Sequence, residues 1–267
     1  MPSVSNIAIG SNLAAAAANK ARHGMNESIA RLSTGIRAMY GGDAAGHSVA
    51  TTHAAEGKSY AAATRNIEDG ISYLQTGESV LLEVANLATR LRELGIQADN
   101  AALLATATQV AAMNSEAILI GDTIDQILDK TDFNTVEVVD SAGAKTVAVN
   151  YVGEASGTTF TTGPGVAITA MGNITAAAGA DGTADTMLGK VAEALGNIAA
   201  DLTALKAFQG ASSSTGANLM ASSARLMDTD YALETANLTK NSILNQAALS
   251  MAAQANSAQS AILSVLQ

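Results

Sequence analysis

Apolar and small residues recur near each end of this chain at spacings that alternate between three and four, and almost nothing between them can break a helix. Near the front the line runs Val4, Ile7, Ala14, Ala18, Ala21, Met25, Ile29, Leu32 and Ile36. Ser11 fills its one gap, and the rhythm slips once between Met25 and Leu32. Near the back it runs Leu244, Ala247, Met251, Ala255, Ala258, Ile262 and Val265. Such a line is the narrow seam of a coiled coil rather than the wide stripe of a globular surface helix. Proline, which costs about 3 kcal/mol or more inside a helix, occurs only at Pro2 and Pro164. Long helices are therefore permitted almost everywhere. The chain is 48% hydrophobic but only 3% aromatic, and Ala supplies much of the apolar fraction. Ala allows close helix approach but buries little area. A single such helix is marginal in water, so the two halves of the chain must meet.

Between the ends the pattern changes character several times. Gly41-Gly42 interrupts the first segment, and Asp43 is a suitable N-cap for a second helix reaching about Ala98. Its line is Ile67, Ile71, Leu74, Leu81, Ala85 and Ala88, with Glu78 as a polar intrusion. After a turn at Asp99-Asn100 a third helix carries Leu103, Val110, Met113, Ala117, Ile120, Ile124 and Ile127. From Thr131 the residues become β-branched and partly alternating. Val136–Asp140 and Lys145–Val152 read as one hairpin around Ser141–Ala144. Thr158–Thr162 and Val166–Thr169 read as a second pair around Gly163-Pro164-Gly165. Small-residue loops then run to about Thr186, and helical spacing returns at Leu188 and continues to a break near Asp228-Thr229-Asp230. The expected fold is mainly α: a long antiparallel helical coiled-coil rod with a small β-hairpin insert in the middle of the chain.

The net charge of −10 and the absence of any basic run argue against nucleic acid as a partner. No window has eighteen consecutive apolar residues, so no transmembrane span is expected. The N-terminus lacks the charged start and apolar stretch of a secretory signal. With no Cys there is no disulfide scaffold, thiolate metal site or Cys nucleophile.

The order and spacing of several short motifs resemble bacterial flagellins. The front half carries Arg31-Leu-Ser-Thr-Gly35, Asp43-Ala-Ala-Gly46, Arg65 through Glu78, Leu91-Arg-Glu-Leu94 and Thr131-Asp-Phe-Asn134. The back half carries Asp228-Thr-Asp-Tyr-Ala-Leu-Glu234, Gln246 through Asn256 and Ile262-Leu-Ser-Val-Leu266. Thr135 stands where flagellins usually have Gly after Phe-Asn, and Gly41-Gly42 where they often have charged residues.

The resemblance implies a structural subunit of the motility filament, extracellular and not an enzyme. Residues 1–42 would be the N-terminal helix of an inner-tube domain, and 43–132 the front helices of an outer-tube rod domain. Residues 133–186 would be a β-rich, solvent-facing insert. Residues 187–229 would complete the rod and 230–267 the inner tube. Filament-core packing falls on Val4, Ile7, Ala14, Ala18, Met25, Leu244, Ala247, Met251, Ala258, Ile262 and Val265. No cofactor is implied. The implied partners are further copies of the chain, an export chaperone, a cap protein and hook-junction proteins. Export would use the flagellar type III apparatus without a cleavable signal. The nearest alternative is a hook–filament junction protein, which would stop at a short ring. A secreted coiled-coil protein or a hydrolase acting from the insert stands further off, because the insert has one Lys, few acids and no His.

Other residues carry weaker signals. Arg90, Leu94 and Glu116 match positions through which flagellins are bound by the Toll-like receptor that senses them, although Thr89 replaces the usual Gln. The plainer reading is subunit packing. Thr158, Thr159, Thr161 and Thr162 lie where flagellins are often O-glycosylated. His47 and His53 are six apart, not the i, i+4 pair of a helical zinc site. Asp122, Asp125, Asp129 and Asp132 read as a solvated acidic face before a divalent-cation site. Met25, Met113 and Met251 read as gap-fillers in packing.

Overall fold

The computed structural model describes residues 3–37, 43–100, 103, 106–139, 145–149, 159–164, 168, 171–172 and 174–265, excepting the side chains of residues 3–8, 259, 262, 263 and 265. Five α-helices dominate these residues: α1 (Ser3–Thr34), α2 (Ala44–Asp99), α3 (Ala107–Lys130), α4 (Ala180–Met227) and α5 (Tyr231–Val265). Between α3 and α4 lie four short strands, β1 (Asp132–Phe133), β2 (Val136–Glu137), β3 (Lys145–Ala148) and β4 (Thr159–Thr162). The expected mainly α chain with a small β insert is what is found. Two compact units result, one from residues 1–54 with 220–267, the other from residues 55–219.

The second unit holds the apolar core. On α2 the buried line is Ile67, Leu74, Leu81, Val84, Ala88, Leu91 and Leu94; α3 adds Ile124 and Leu128, and α4 adds Val191, Ile198 and Leu205. Burying one such side chain contributes about 1.5–3 kcal/mol, so this unit carries most of the hydrophobic stabilisation. Helix α4 begins at Ala180, several residues before its large apolar positions, because Ala180 and Ala184 pack with Leu91, Leu94, Ala98 and Ala117 in a small-residue cluster.

The strands pair differently from expectation. β1 pairs antiparallel with β2, and β3 with β4, in the register Lys145↔Thr162 through Ala148↔Thr159. Among the described residues, the expected pairing of Val136–Asp140 with Lys145–Val152 is therefore not found. The cause is local: Asn134 and Thr135 both take positive φ, 51° and 64°. Two successive left-handed residues form the turn that matches strand twist, so the chain reverses immediately after α3. Of Val166–Thr169, expected to pair with Thr158–Thr162, only Ile168 is among the described residues, where it is a buried core residue. Tyr73 of α2 anchors the first hairpin, edge-on to Phe133 at 6.1 Å and donating its hydroxyl to Glu137 O at 3.2 Å.

Helix glycines receive the insert. A Cβ on Gly70 would lie 2.9 Å from Val147, one on Gly77 3.0 Å from Val138, and one on Gly121 3.1 Å from Ile174. Carboxylate and amide side chains then stitch the return segment to the helices. Asp201 accepts from Gly163 N at 3.0 Å, Asp125 from Met171 N at 2.7 Å and Asn114 from Ala177 N at 2.8 Å. These polar groups satisfy backbone amides that have no ladder partner.

Candidate functional site

The first unit is organised around the antiparallel contact of α1 with α5, close enough to bring Cα atoms within 8 Å. One shielded line on α1 runs Ser11, Ala14, Ala18, Ala21, Met25, Ser28 and Leu32 to Gly35 just past its end, flanked by the shielded Gly24, Ala30 and Arg31. That spacing alternates three and four without a fault. The seam passes through Ser28, which is 2% exposed, whereas Ile29 is 49% exposed. The slip expected between Met25 and Leu32 is therefore absent; it came from choosing the most apolar residue at each step.

On α5 the shielded line is Glu234, Leu238, Asn241, Asn245, Ala248, Ala252 and Ala255, again alternating four and three. From Leu244 to Met251 it lies one position off the expected line, and the two meet at Ala255. Leu244 is 48% and Met251 61% exposed, and Ala247 and Ala258 are exposed as well. Of the expected packing residues, Ala14, Ala18 and Met25 face α5, while Leu244, Ala247, Met251 and Ala258 face solvent in the single chain. Val4, Ile7, Ile262 and Val265 belong to the two helices, but their side chains lie outside the described residues. The outward face of α5 carries a shallow groove of about 620 Å³ lined by Ala236, Thr239, Ile243 and Leu244, with Lys240 at its side. No residue from Asn241 to Gln267 is charged, nor any from Met1 to Asn19.

Where α1 ends, the two halves of the chain interlock. Gly35, at φ 72°, closes the helix by donating its N–H to Arg31 O at 2.8 Å. A Cβ there would be both strained and 3.1 Å from the Tyr231 hydroxyl oxygen. Ile36 bridges Asp228, Thr229 N donates to Gly35 O at 2.8 Å, and Arg37 N donates to Met227 O at 2.7 Å. The Arg37 guanidinium donates to Leu226 O at 3.1 Å, a free carbonyl at the end of α4, and to Asp43 Oδ2 at 3.0 Å. Asp43 caps α2 by accepting from Gly46 N at 2.8 Å, as expected. That amide and the Arg37 guanidinium hold its carboxyl below the usual carboxylate range. Asp230 caps α5 through Ala232 N and Leu233 N at 2.9 and 3.1 Å. Glu234, 6% exposed, sits 3.6 Å from Arg31. The motifs Arg31–Gly35 and Asp228–Glu234 are thus two sides of one joint.

Sites elsewhere divide. The Arg90 guanidinium is paired twice, with Glu116 at 2.7 Å and Glu93 at 3.2 Å, and these carboxylates hold its pKa above the ordinary value. Arg90 and Glu116 are exposed; Leu94 is 1% exposed and packs in the small-residue cluster. Thr159 and Thr161 face solvent, whereas Thr162 is buried and donates to Asp201 at 3.1 Å. Thr158 lies outside the described residues. His53 meets Ser222 at 3.1 Å and His23 meets Glu27 at 3.2 Å. Asp125 serves as the Met171 clasp, and no group of three potential metal ligands gathers among the described residues. No helix among them is long and apolar enough to cross a membrane. The glycine sockets and the α5 inward stripe went unread in the sequence. Glycines at helical positions facing β-branched residues of the insert were their available signal.

Paired, uncharged helical ends with an uncovered apolar face define a class of protein: a subunit that completes itself by joining copies of itself. Residues 5–143 match the bacterial flagellin N-terminal helical region and residues 181–266 the bacterial flagellin C-terminal helical region. The flagellin of Bacillus subtilis (strain 168) is 29% identical, covering 89% of this chain and 91% of that protein. The flagellin of Halalkalibacterium halodurans is 32% identical, covering 89% and 90%. A flagellar filament core protein of Brachyspira hyodysenteriae is 28% identical, covering 91% and 92%. Among solved structures, Bacillus cereus flagellin aligns at 25% identity and a TM-score of 0.38, over 58% of this chain and 88% of that one. The chain belongs to the bacterial flagellin family and is a structural subunit of the flagellar filament.

Proposed function

We propose that the subunit polymerises through the outward face of α5, with folding of the ends coupled to assembly. The observation that carries this is the inversion of α5: Leu244 and Met251 face solvent while Asn241 and Asn245 face α1. An apolar line left uncovered in one chain is covered by a neighbour, and head-to-tail contacts that do not close into a ring generate a helical filament. Segments 1–42 and 230–267 supply those contacts in this reading, with Ile262 and Val265 continuing the α5 line and Val4 and Ile7 the α1 line. An Ala-rich pair offsets little of its own conformational entropy, so the ends order fully only among neighbours.

Weakly paired ends also suit passage of an unfolded chain through the flagellar type III apparatus. An export chaperone on the C-terminal segment, a cap protein at the growing tip and junction proteins at the hook are the partners this route requires. The exposed Arg90 and Glu116 are the accessible part of a Toll-like-receptor contact. Thr159 and Thr161 are the accessible O-glycosylation candidates.

Met251→Asp tests the assembly face. Met251 is exposed in the subunit, so the change leaves the monomer's thermal unfolding unaltered. Within a polymer it places an unpaired charge in an apolar contact, which costs several kcal/mol. Electron microscopy is expected to show no filaments from this variant at concentrations where the unsubstituted chain forms them. Normal filaments would overturn the assignment of this face.

A further inference from the structure

We infer that Asn241 and Asn245 are a register key that aligns α1 with α5 while keeping their pairing weak. Both lie on the shielded line of α5, at the positions where a coiled coil ordinarily places apolar residues. The Asn241 amide occupies the notch left by Gly24: a Cβ there would lie 2.7 Å from its Nδ2. A side chain filling a gap present at one level only is a geometric key. Continuing the register set by Gly24–Asn241, Arg31–Glu234 and Gly35–Tyr231 places Asn245 level with Ala21. The Asn245 Oδ1 is buried there with no hydrogen-bond partner. A buried acceptor left unsatisfied penalises the folded pair, while a polar residue in a coiled-coil core specifies alignment at a cost in stability.

Arg31–Glu234 and Gly35–Tyr231 fix the alignment at the joint, but the layers beyond Gly24 do not reinforce it. Ala14, Ala18 and Ala21 on one helix, and Ala248, Ala252 and Ala255 on the other, are interchangeable under a shift of one heptad. Without the asparagines, only the contacts near the joint oppose a slip of these layers. The inference deepens the assembly reading, since ends that re-form in each newly added subunit need alignment more than stability.

The test uses full-length monomer held below its assembly concentration. Asn241→Ala/Asn245→Ala is compared with Asn256→Ala/Ser257→Ala, two exposed positions on the same helix. Hydrogen exchange across α1 and α5 is expected to slow at least about fiftyfold in the asparagine double variant, against about tenfold or less from helix propensity alone in the two-site control. Register is read by cysteine pairs, in a chain with no other Cys. Ala18→Cys/Ala248→Cys reports the aligned state and Ala18→Cys/Ala255→Cys a slip of one heptad. With the asparagines present only the aligned pair forms a disulfide; without them the slipped pair forms one too. Exchange that slows no more than in the control, or a slipped pair that stays reduced in the double-alanine background, overturns the inference. Filament formation by the unsubstituted chain is scored separately, so failure of the key leaves the assembly reading standing.

Discussion

Gly95→Ala is the substitution in which local and tertiary physics disagree most. Gly95 lies on the buried face of α2 beside Leu91, Leu94 and Ala98. Helix propensity alone favours Ala over Gly by about 1 kcal/mol. A Cβ at this position, however, would lie 2.5 Å from Asp181 N, 2.9 Å from its Cβ and 3.0 Å from its Cα. Those atoms belong to the first turn of α4, which cannot rotate away as a side-chain tip could. Relieving the clash displaces that turn and opens the packing of Ala180 and Ala184. Overpacking of this kind costs about 1–3 kcal/mol, and two backbone contacts at or under 3.0 Å place the cost at the upper end. The expected net change is a loss of about 1–2 kcal/mol.

Gly196→Ala on α4 is the control, because nothing lies within 4 Å of its added Cβ. There the propensity gain stands alone, at about 0.5–1 kcal/mol. For a unit of this size each kcal/mol moves Tm by about 2–4 °C. In calorimetry of the monomer, Gly95→Ala should lower Tm by about 2–8 °C and Gly196→Ala raise it by about 1–4 °C. Equal or same-sign shifts would refute the claim that α2 and α4 meet backbone to backbone at Asp181.

Three further outcomes are expected. Thr135→Gly removes a β-branched residue held at φ 64°; relief of about 1–2 kcal/mol, less the entropy cost of Gly, should raise the monomer's Tm slightly, and a fall would refute the left-handed turn. Asp43 has a depressed folded pKa, so its stabilisation is complete above the unfolded carboxyl value of about 4 and is lost as pH falls through the folded value. Asp43→Asn should flatten that part of the acid unfolding curve of the first unit, and an unchanged acid limb would exclude the Arg37–Asp43–Gly46 contact. Leu94→Ala should cost about 2–5 kcal/mol by denaturant unfolding, and Arg90→Ala far less, because its ion pairs are exposed and screened. Comparable losses from the two would contradict a buried Leu94 beside an exposed, screened ion pair.

Much of the architecture follows from the sequence alone. A spacing of three and four, sustained where Pro is absent, admits only long helices, because no other element returns a side chain to the same face at that interval. The starts and stops at Asp43, Asp99-Asn100 and Asp228–Asp230 were legible because Asn and Asp there supply turn and cap geometry. So was the central change of character at Thr131, where β-branched residues replace Ala. The motifs on either side of the joint were legible as separate motifs, and their resemblance to flagellins identified the family.

The tertiary structure decided which face of each helix turns inward. Read as a sequence, α5 offers two lines one residue apart, and the more apolar of them, through Leu244 and Met251, invites selection. The fold instead places Asn241, Asn245 and Ala248 against α1, because the smaller side chains permit the close approach, and it leaves the bulkier Leu244 and Met251 exposed. Ser28 displaced Ile29 from the α1 seam for the same reason. Strand pairing was likewise a matter of tertiary structure: two positive-φ residues after α3 used β2 in a tight turn, and the glycine notches at Gly70 and Gly77 seated Val147 and Val138 where no local rule required them. Periodicity along a chain specifies that a face exists; only the size and chemistry of what it meets specifies which face it is.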